Sequence, residues 1–443
     1  SMTVAGQTAV NYDYDANSRL TDISTINSQL GTLNFSIAYD VLGRRTSTTL
    51  PNGVTTNYTY DNSSRLLTLN HLNPQPLESL SYTYDANGNR TSMNRTSVSL
   101  PLPNPASNIN YNQANQMLTF QPATQPVKNM TYDNNGNMTS VTNGCGTTTY
   151  TWDVRNRLIG IDGYKPDCNP MSASFKYDVL GRRIQKSVTD TVNGTRTTAF
   201  LYDGLDIVQE IENGQVTVNY IRTLNIDEPL ARIKADGTVR YYHTDALGSV
   251  IGLTTDDGQL ATVYTYDPFG NITVSGESSD NPFQYTGREN DGTGLYYYRA
   301  RYYSPELQRF ISEDPILKPG DPNIPFMVPR LLMNPAILNA YNYVEDNPVN
   351  ATDPLGLASC IYGCHPPSQP AKPGEKCYKA DCIAKCMAKI KANPGNTMPC
   401  WLCSLEPGPY NPACWACGGG ILINLPDCYK QCEGRLNSCG QCE

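Results

Sequence analysis

A short motif, repeated from the first residues onward, constrains this chain more than any other feature. It reads aromatic-x-Tyr-Asp, then two to four turn residues, then Arg-Leu or Gly-Arg-Arg. Copies occur as YDYDANSRL from Tyr12, IAYDVLGRR from Ile37, YTYDNSSRL from Tyr58 and YTYDANGNR from Tyr82. They continue as MTYDNNGNM from Met130, YTWDVRNRL from Tyr150, FKYDVLGRR from Phe175 and YTYDPFGNI from Tyr264, with degenerate copies at Tyr111 and Tyr202. Consecutive copies lie about 20–27 residues apart over most of this stretch, a period typical of repeat architectures. Alternation such as Tyr58-x-Tyr60 has the period of a strand, and the Asp-x-x-Gly and Asn-Gly elements supply the positive-φ positions a tight turn needs. Each unit is therefore predicted to be a strand, a turn and a return strand. A lone hairpin is marginal in water, so neighbours are expected to pair edge to edge into one continuous antiparallel sheet. Such a sheet twists, and many repeats of it should coil into a spiral or shell. The expected fold is mainly β, and the Tyr and Asp of the motif are assigned to packing and turn capping.

Composition agrees with half-wet strands: Tyr outnumbers Phe 30 to 8, and hydrophobic residues make up only 39% of the 443. A formal net charge of −8 argues against general nucleic-acid binding. The sequence holds no run of about 18 apolar residues, so no membrane span is expected. The opening Ser-Met-Thr starts in mid-repeat and is read as an expression remnant on a piece of a longer protein. Cysteine is lopsided, with 13 of 15 after Leu357 and only Cys145 and Cys168 before it. Three segments follow: repeats over 1–284, a capping stretch over 285–357, and a cysteine-rich tail over 358–443.

The motif resembles the YD repeat of the RHS/YD-repeat family, found in bacterial polymorphic toxins, in C subunits of insecticidal toxin complexes and in teneurins. The resemblance covers roughly residues 8–357. It is most specific at YYHTDALGSV (Tyr241–Val250), at the TG-x-E-x-D-x-x-TGLYYYRARYY segment, and at DPLGL ending at Leu357. The resemblance implies a hollow β-shell with the capping stretch spiralling inward as a plug. In toxin members the plug cuts its own chain just after DPxGL with an aspartic-protease-like pair of Asp residues and a nearby Arg. On the matching positions these are Asp314, Asp353 and Arg301, and the scissile bond is Leu357–Ala358. The implied function is a toxin-type shell that encloses its own C-terminal tail as cargo and releases it. A delivery protein or an immunity protein would be its partner, and it would be secreted or held at the cell surface.

The residue types suit that chemistry. Amide hydrolysis needs a carboxylate to activate water and a carboxylic acid to protonate the leaving nitrogen, and two close carboxyls that share a proton supply both. Arg301 could hold a carboxylate or the developing oxyanion, and Gly356 would let backbone approach closely. The alternative reading is that Asp before Pro merely starts a turn; the Asp-Pro pair occurs at Asp267, Asp314, Asp321 and Asp353. The insert Pro319–Leu338 is expected to be an extended loop with a helical turn or two around Leu331–Leu338. His243 is assigned a structural role, and His71 is placed in a turn with none.

In the tail, CIAKC (Cys382, Cys386) and CYKQC (Cys428, Cys432) put cysteines at i, i+4, which suits disulfide-stapled helices. Cys145 and Cys168 are candidates to pair with each other across neighbouring strands. Cys400, Cys403, Cys414 and Cys417 form C-x2-C-x10-C-x2-C, for which zinc is the alternative to disulfides; no other cofactor is expected. A disulfide-rich tail would place the chain in an oxidising compartment. The competing functional reading is an uncleaved cell-surface adhesion or binding protein with a disulfide-stapled head.

Overall fold

The computed structural model describes residues 1–4, 9–27, 30–317 and 339–357. Residues 1–38 and 46–357 supply the described part of one compact unit, and the relations below lie within it. Strands β1 (Asn11–Tyr14) through β8 (Arg90–Arg95) form an eight-stranded sheet in strict chain order. Strands β9 (Ala106–Tyr111) through β24 (Ile272–Gly276) form a sixteen-stranded sheet, also in chain order, and the described pairings in both sheets are antiparallel. Among the described residues there is no α-helix, and no helix is long and apolar enough to cross a membrane.

The repeat turn explains the regularity. At Asp61 the Ser64 amide donates to the Asp61 carbonyl and the Asp61 amide to the Arg65 carbonyl, each at 3.0 Å. Ser64 sits at φ +63°, and the register shifts at Tyr60, as in a type I turn closed by a bulge. Asp61 Oδ1 accepts the amides of Ser63 and Arg65 at 2.9 Å, and its Oδ2 accepts Arg65 Nε at 2.6 Å. Thus the carboxylate caps the turn with one oxygen and grips the fifth turn residue with the other. Arg65 then donates to the Asp85 carbonyl of the next turn at 2.9 Å and stacks 5.1 Å over Tyr84. The same linkage joins Arg157 to Asp178 and Tyr177. These pairs are partly exposed and individually weak; their repetition sets the register.

The preference for Tyr over Phe has a local cause. The motif Tyr of one repeat donates its hydroxyl to the backbone carbonyl at the bulge of the preceding one. Tyr84 reaches Leu66 O at 2.7 Å, Tyr177 reaches Leu158 O at 2.6 Å, and Tyr266 reaches Val250 O at 2.7 Å. Trp152 Nε1 does the same to Met138 O at 2.7 Å. A Phe would leave that carbonyl without its donor.

Among the described strands the repeat ladder breaks between β8 and β9, where the sequence leads one to expect a single continuous sheet. The segment between β8 and β9 carries Pro101, Pro103 and Pro105, which have no amide hydrogen to donate.

The capping stretch contributes β25 (Glu289–Asn290), β26 (Tyr296–Tyr298), β27 (Arg301–Ser304) and β28 (Arg309–Phe310), paired in that order. Its Tyr285, Tyr296, Tyr298, Tyr303, Phe310 and Tyr343 pack with Tyr220, Tyr242, Tyr264 and Tyr266 of the large sheet into one buried aromatic cluster. Three of its hydroxyls close on a single repeat turn: Tyr285 on Pro268 O, Tyr303 on Phe269 O and Tyr296 on Gly270 O. Arg183, fully buried, pairs with Glu289 at 2.5 Å and with Asp291. The stretch is thus tied to the large sheet by packing, hydroxyls and charge together.

Candidate active site

Arg301 opens β27, buried to 3% exposure, with its guanidinium 3.6 Å over the Phe310 ring. Its Nη2 makes three polar contacts at once: Asp314 Oδ2 at 2.9 Å, Asp353 Oδ2 at 3.2 Å and the Leu357 carbonyl oxygen at 3.0 Å. Nε donates to Gly356 O at 2.6 Å and Nη1 to Ala340 O at 3.0 Å. Asp314 and Asp353, 39 residues apart in sequence, therefore meet on one nitrogen, together with the last carbonyl of the DPLGL motif.

Two turns present the acids. Asp314 Oδ1 accepts the Ile316 amide at 3.0 Å, and its own amide donates to Ala340 O at 2.9 Å. Asp353 starts a turn of the repeat type, with Gly356 N donating to Asp353 O at 3.2 Å and Leu357 N to Asp353 Oδ1 at 3.1 Å. Asp353 is 1% exposed, and burial pushes its carboxyl above the usual carboxylate range against the opposing pull of Arg301 and the two amides. The site thus holds one carboxyl biased towards its protonated form beside a guanidinium that can stabilise negative charge on the Leu357 oxygen.

Gly356 lies at φ +64°, and a Cβ there would meet the Tyr298 carbonyl oxygen at 2.1 Å and the Arg301 amide nitrogen at 3.1 Å. Both obstacles are backbone, so no side-chain rotation relieves them. Gly356→Ala is expected to displace the DPLGL turn from Arg301 and slow any reaction there by about a hundredfold. A time course of fragment appearance on a denaturing gel measures this.

Arg299 was not evident from the sequence. At φ +54° it donates to the Pro354 carbonyl, and it is braced by Asp227 at 2.7 and 3.0 Å and by Asp206 at 3.2 Å. Burial alone would raise the Asp227 carboxyl, but the Arg288 and Arg299 guanidiniums hold it below its usual range. The one available signal was the Arg-x-Arg spacing of Arg299 and Arg301; nothing local marks Asp227.

Other expectations fall elsewhere. Asp267 is a repeat turn whose Oδ2 grips Asn271 at 2.7 Å, the turn-capping role assigned to the motif Asp. His71 is a correction: it lies not in a turn but buried in β6 (Leu66–Asn73), its Nδ1 3.3 Å from Nδ1 of His243. The structure joins Cys145 and Cys168 as a disulfide, their Cα atoms 5.2 Å apart. Ala358, Asp321, the insert Pro319–Leu338 and the tail cysteines, including Cys382, Cys386, Cys400, Cys403, Cys414, Cys417, Cys428 and Cys432, lie outside the described residues. Among the described residues no group of His, Cys, Asp and Glu is arranged to hold a metal.

These features define a repeat-built antiparallel β protein whose capping stretch gathers two acids and an arginine at a DPLGL turn. The chain belongs to the teneurin YD-shell family, whose profile matches residues 4–349. It is 34% identical over 284 residues to the tRNA3(Ser)-specific nuclease WapA of Bacillus spizizenii, an alignment covering 62% of this chain and 11% of that protein. It is 28% identical over 406 residues to the double-stranded DNA deaminase toxin A of Burkholderia cenocepacia, covering 84% of this chain and 24% of the relative. Among solved structures it resembles a chain of the TcdB2-TccC3-Cdc42 crystal structure, with a TM-score of 0.55 at 19% identity, over 79% of this chain and 20% of that one. The chain thus spans a quarter or less of these proteins, and what it shares with toxin proteins is the YD-repeat β fold.

Proposed function

We propose that the capping stretch hydrolyses its own chain once, after Leu357, and frees residues 358–443 as cargo. The observation that carries this reading is the triple contact of Arg301 Nη2 with Asp314, Asp353 and the Leu357 carbonyl oxygen. In the proposed reaction Asp314, as carboxylate, takes a proton from water, and the water oxygen bonds to the Leu357 carbonyl carbon. The oxyanion that forms is held by Arg301 Nη2. Asp353, as the protonated acid, gives its proton to the nitrogen of residue 358 as the carbon–nitrogen bond breaks. The products are a carboxyl at Leu357 and a free amine at Ala358.

The toxin names of the relatives support a cargo role for the tail, and the likeness to a chain of a Tc holotoxin pore structure supports a delivery partner. A cysteine-rich cargo, stapled by disulfides or holding zinc, and an extracellular destination belong to the same reading. The test is the intact mass of freshly folded protein, with N-terminal sequencing of any small fragment. Two species are expected, residues 1–357 and 358–443, the smaller beginning Ala-Ser-Cys. A chain that stays whole after folding at every pH from about 4 to 8 overturns the proposal.

A further inference from the structure

The DPLGL turn is a repeat turn with one residue changed in kind. In the repeat turns capped by Asp61, Asp85, Asp133, Asp153, Asp178 and Asp267 the fifth residue is a donor that occupies the second oxygen of the capping carboxylate. Arg65 Nε reaches Asp61 Oδ2 at 2.6 Å, and Arg157 Nε and Arg182 Nε reach Asp153 and Asp178 at 2.8 Å. Asn does the same: Asn89 to Asp85 at 2.9 Å, Asn137 to Asp133 at 2.9 Å, and Asn271 to Asp267 at 2.7 Å. At Asp353 the first oxygen still caps the turn through the Leu357 amide, but the fifth residue is Leu357, whose side chain has no donor. Asp353 Oδ2 instead faces Arg301, as does the Leu357 carbonyl, whose counterpart Arg65 O accepts the Asp61 amide.

We infer that Leu357 determines whether this turn is structural or reactive: its apolar side chain leaves Asp353 Oδ2 free for the site, and a donor at 357 would return the acid to turn capping. This rests on the self-cleavage reading and adds a determinant to it. The requirement at 357 is the absence of a donor able to reach back four residues. It is not a pocket shaped for leucine. Leu357 acts through Asp353 and is a positioning residue.

The experiment follows cleavage of the full-length chain made by cell-free translation, by pulse–chase, for wild type and for Leu357→Met, Leu357→Asn and Leu357→Arg. Met is unbranched like Arg but carries no donor. Cleavage by Leu357→Met is expected within about threefold of wild type, and by Leu357→Arg at least about a hundredfold slower. Leu357→Asn should be intermediate, with the high-pH decline of its profile moved to lower pH, because a donor on Oδ2 favours the ionised carboxyl. Equal rates for Met and Arg overturn the inference, as does equal loss in all three variants, which would mean that leucine itself is recognised.

A second measurement separates this from failure of the cleavage reading. In an Asp314→Asn background, carbon-13 NMR of labelled aspartate reports the Asp353 titration with Leu, Met or Arg at 357. A downward shift with Arg alone supports the inference even if wild-type protein is never cut. No shift overturns it even if wild type is cut.

Discussion

Asp353→Asn is expected to leave the chain as a single full-length species under conditions where the wild type is fully cut, and Asp314→Asn is expected to do the same. The loss should reach at least about a hundredfold in rate for either variant, the scale of a positioned proton donor or acceptor. The usual objection is that the variant merely misfolds. The molecule supplies its own control, because an asparagine already caps one of its repeat turns. Asn112 Oδ1 accepts the amides of Ala114 and Gln116 at 2.9 and 3.0 Å, the contacts that Asp61 makes elsewhere. The Asp353→Asn side chain can therefore keep the turn through Leu357 N while losing the acid. The neutral amide also matches the size and charge of the protonated acid beside Arg301, so the variant should fold as wild type by circular dichroism. If Asp353→Asn cuts at the wild-type rate, the acid role is wrong. The pH profile has a defined sign: burial raises the Asp353 carboxyl, so its protonated form persists above the ordinary carboxylate range. Cleavage should decline as pH rises through that elevated value, because the leaving nitrogen loses its proton donor.

The repeats were legible because every part of their turn is local. Asp, its capped amides and its Arg or Asn partner lie within five residues, so Asp61 to Arg65 or Asp178 to Arg182 can be read from the string. The break at Pro101–Pro105 was legible in principle too, since prolines cannot extend a ladder. The candidate site divides differently. Asp314, Asp353 and Arg301 came from a resemblance between motifs, and no local rule joins residues 39 apart across an insert. The bracing of Arg299 by Asp227 spans 72 positions, and its consequence for Pro354 depends on three loops converging. His71 was missed because β6 continues through HLN, where the asparagines and the following proline read as a turn. Such contacts are set by how the capping stretch lies against the sheets, and a strand's alternation of faces says nothing about that.

Acid should weaken the fold where the two large sheets meet, before the carboxylates held low by their partners are protonated. His71 in β6 of the first sheet and His243 in β21 (Val239–Thr244) of the second are both buried, with their Nδ1 atoms 3.3 Å apart. Thr56 Oγ1 and Thr244 O complete the His71 contacts, and Thr254 Oγ1 lies 2.9 Å from His243 Nε2. A hydrogen bond between two Nδ1 atoms needs one lone pair, so it cannot survive protonation of both rings. Burial lowers His71 to about 4, with the Thr244 carbonyl and Glu78 opposing and Arg95 adding to the shift. Burial and the neighbouring His71 lower His243 as well. As pH falls through the unfolded value near 6.5, the unfolded chain takes up protons that the folded chain refuses. The stability is thus fully present above about 6.5 and is lost progressively towards pH 4, by about 3 kcal/mol from His71 alone. Asp245, raised by burial, titrates in the opposite sense over part of this window. Carboxylates held low by partners, such as Asp280 beside Arg232, lose their contribution only below the ordinary carboxylate value. The histidine term is therefore isolated by difference: the thermal midpoint of wild type should fall between about pH 7 and 4.5 more steeply than that of a His71→Gln/His243→Gln double variant. Parallel profiles would mean that the two rings carry no pH dependence and that the seam yields to acid for another reason.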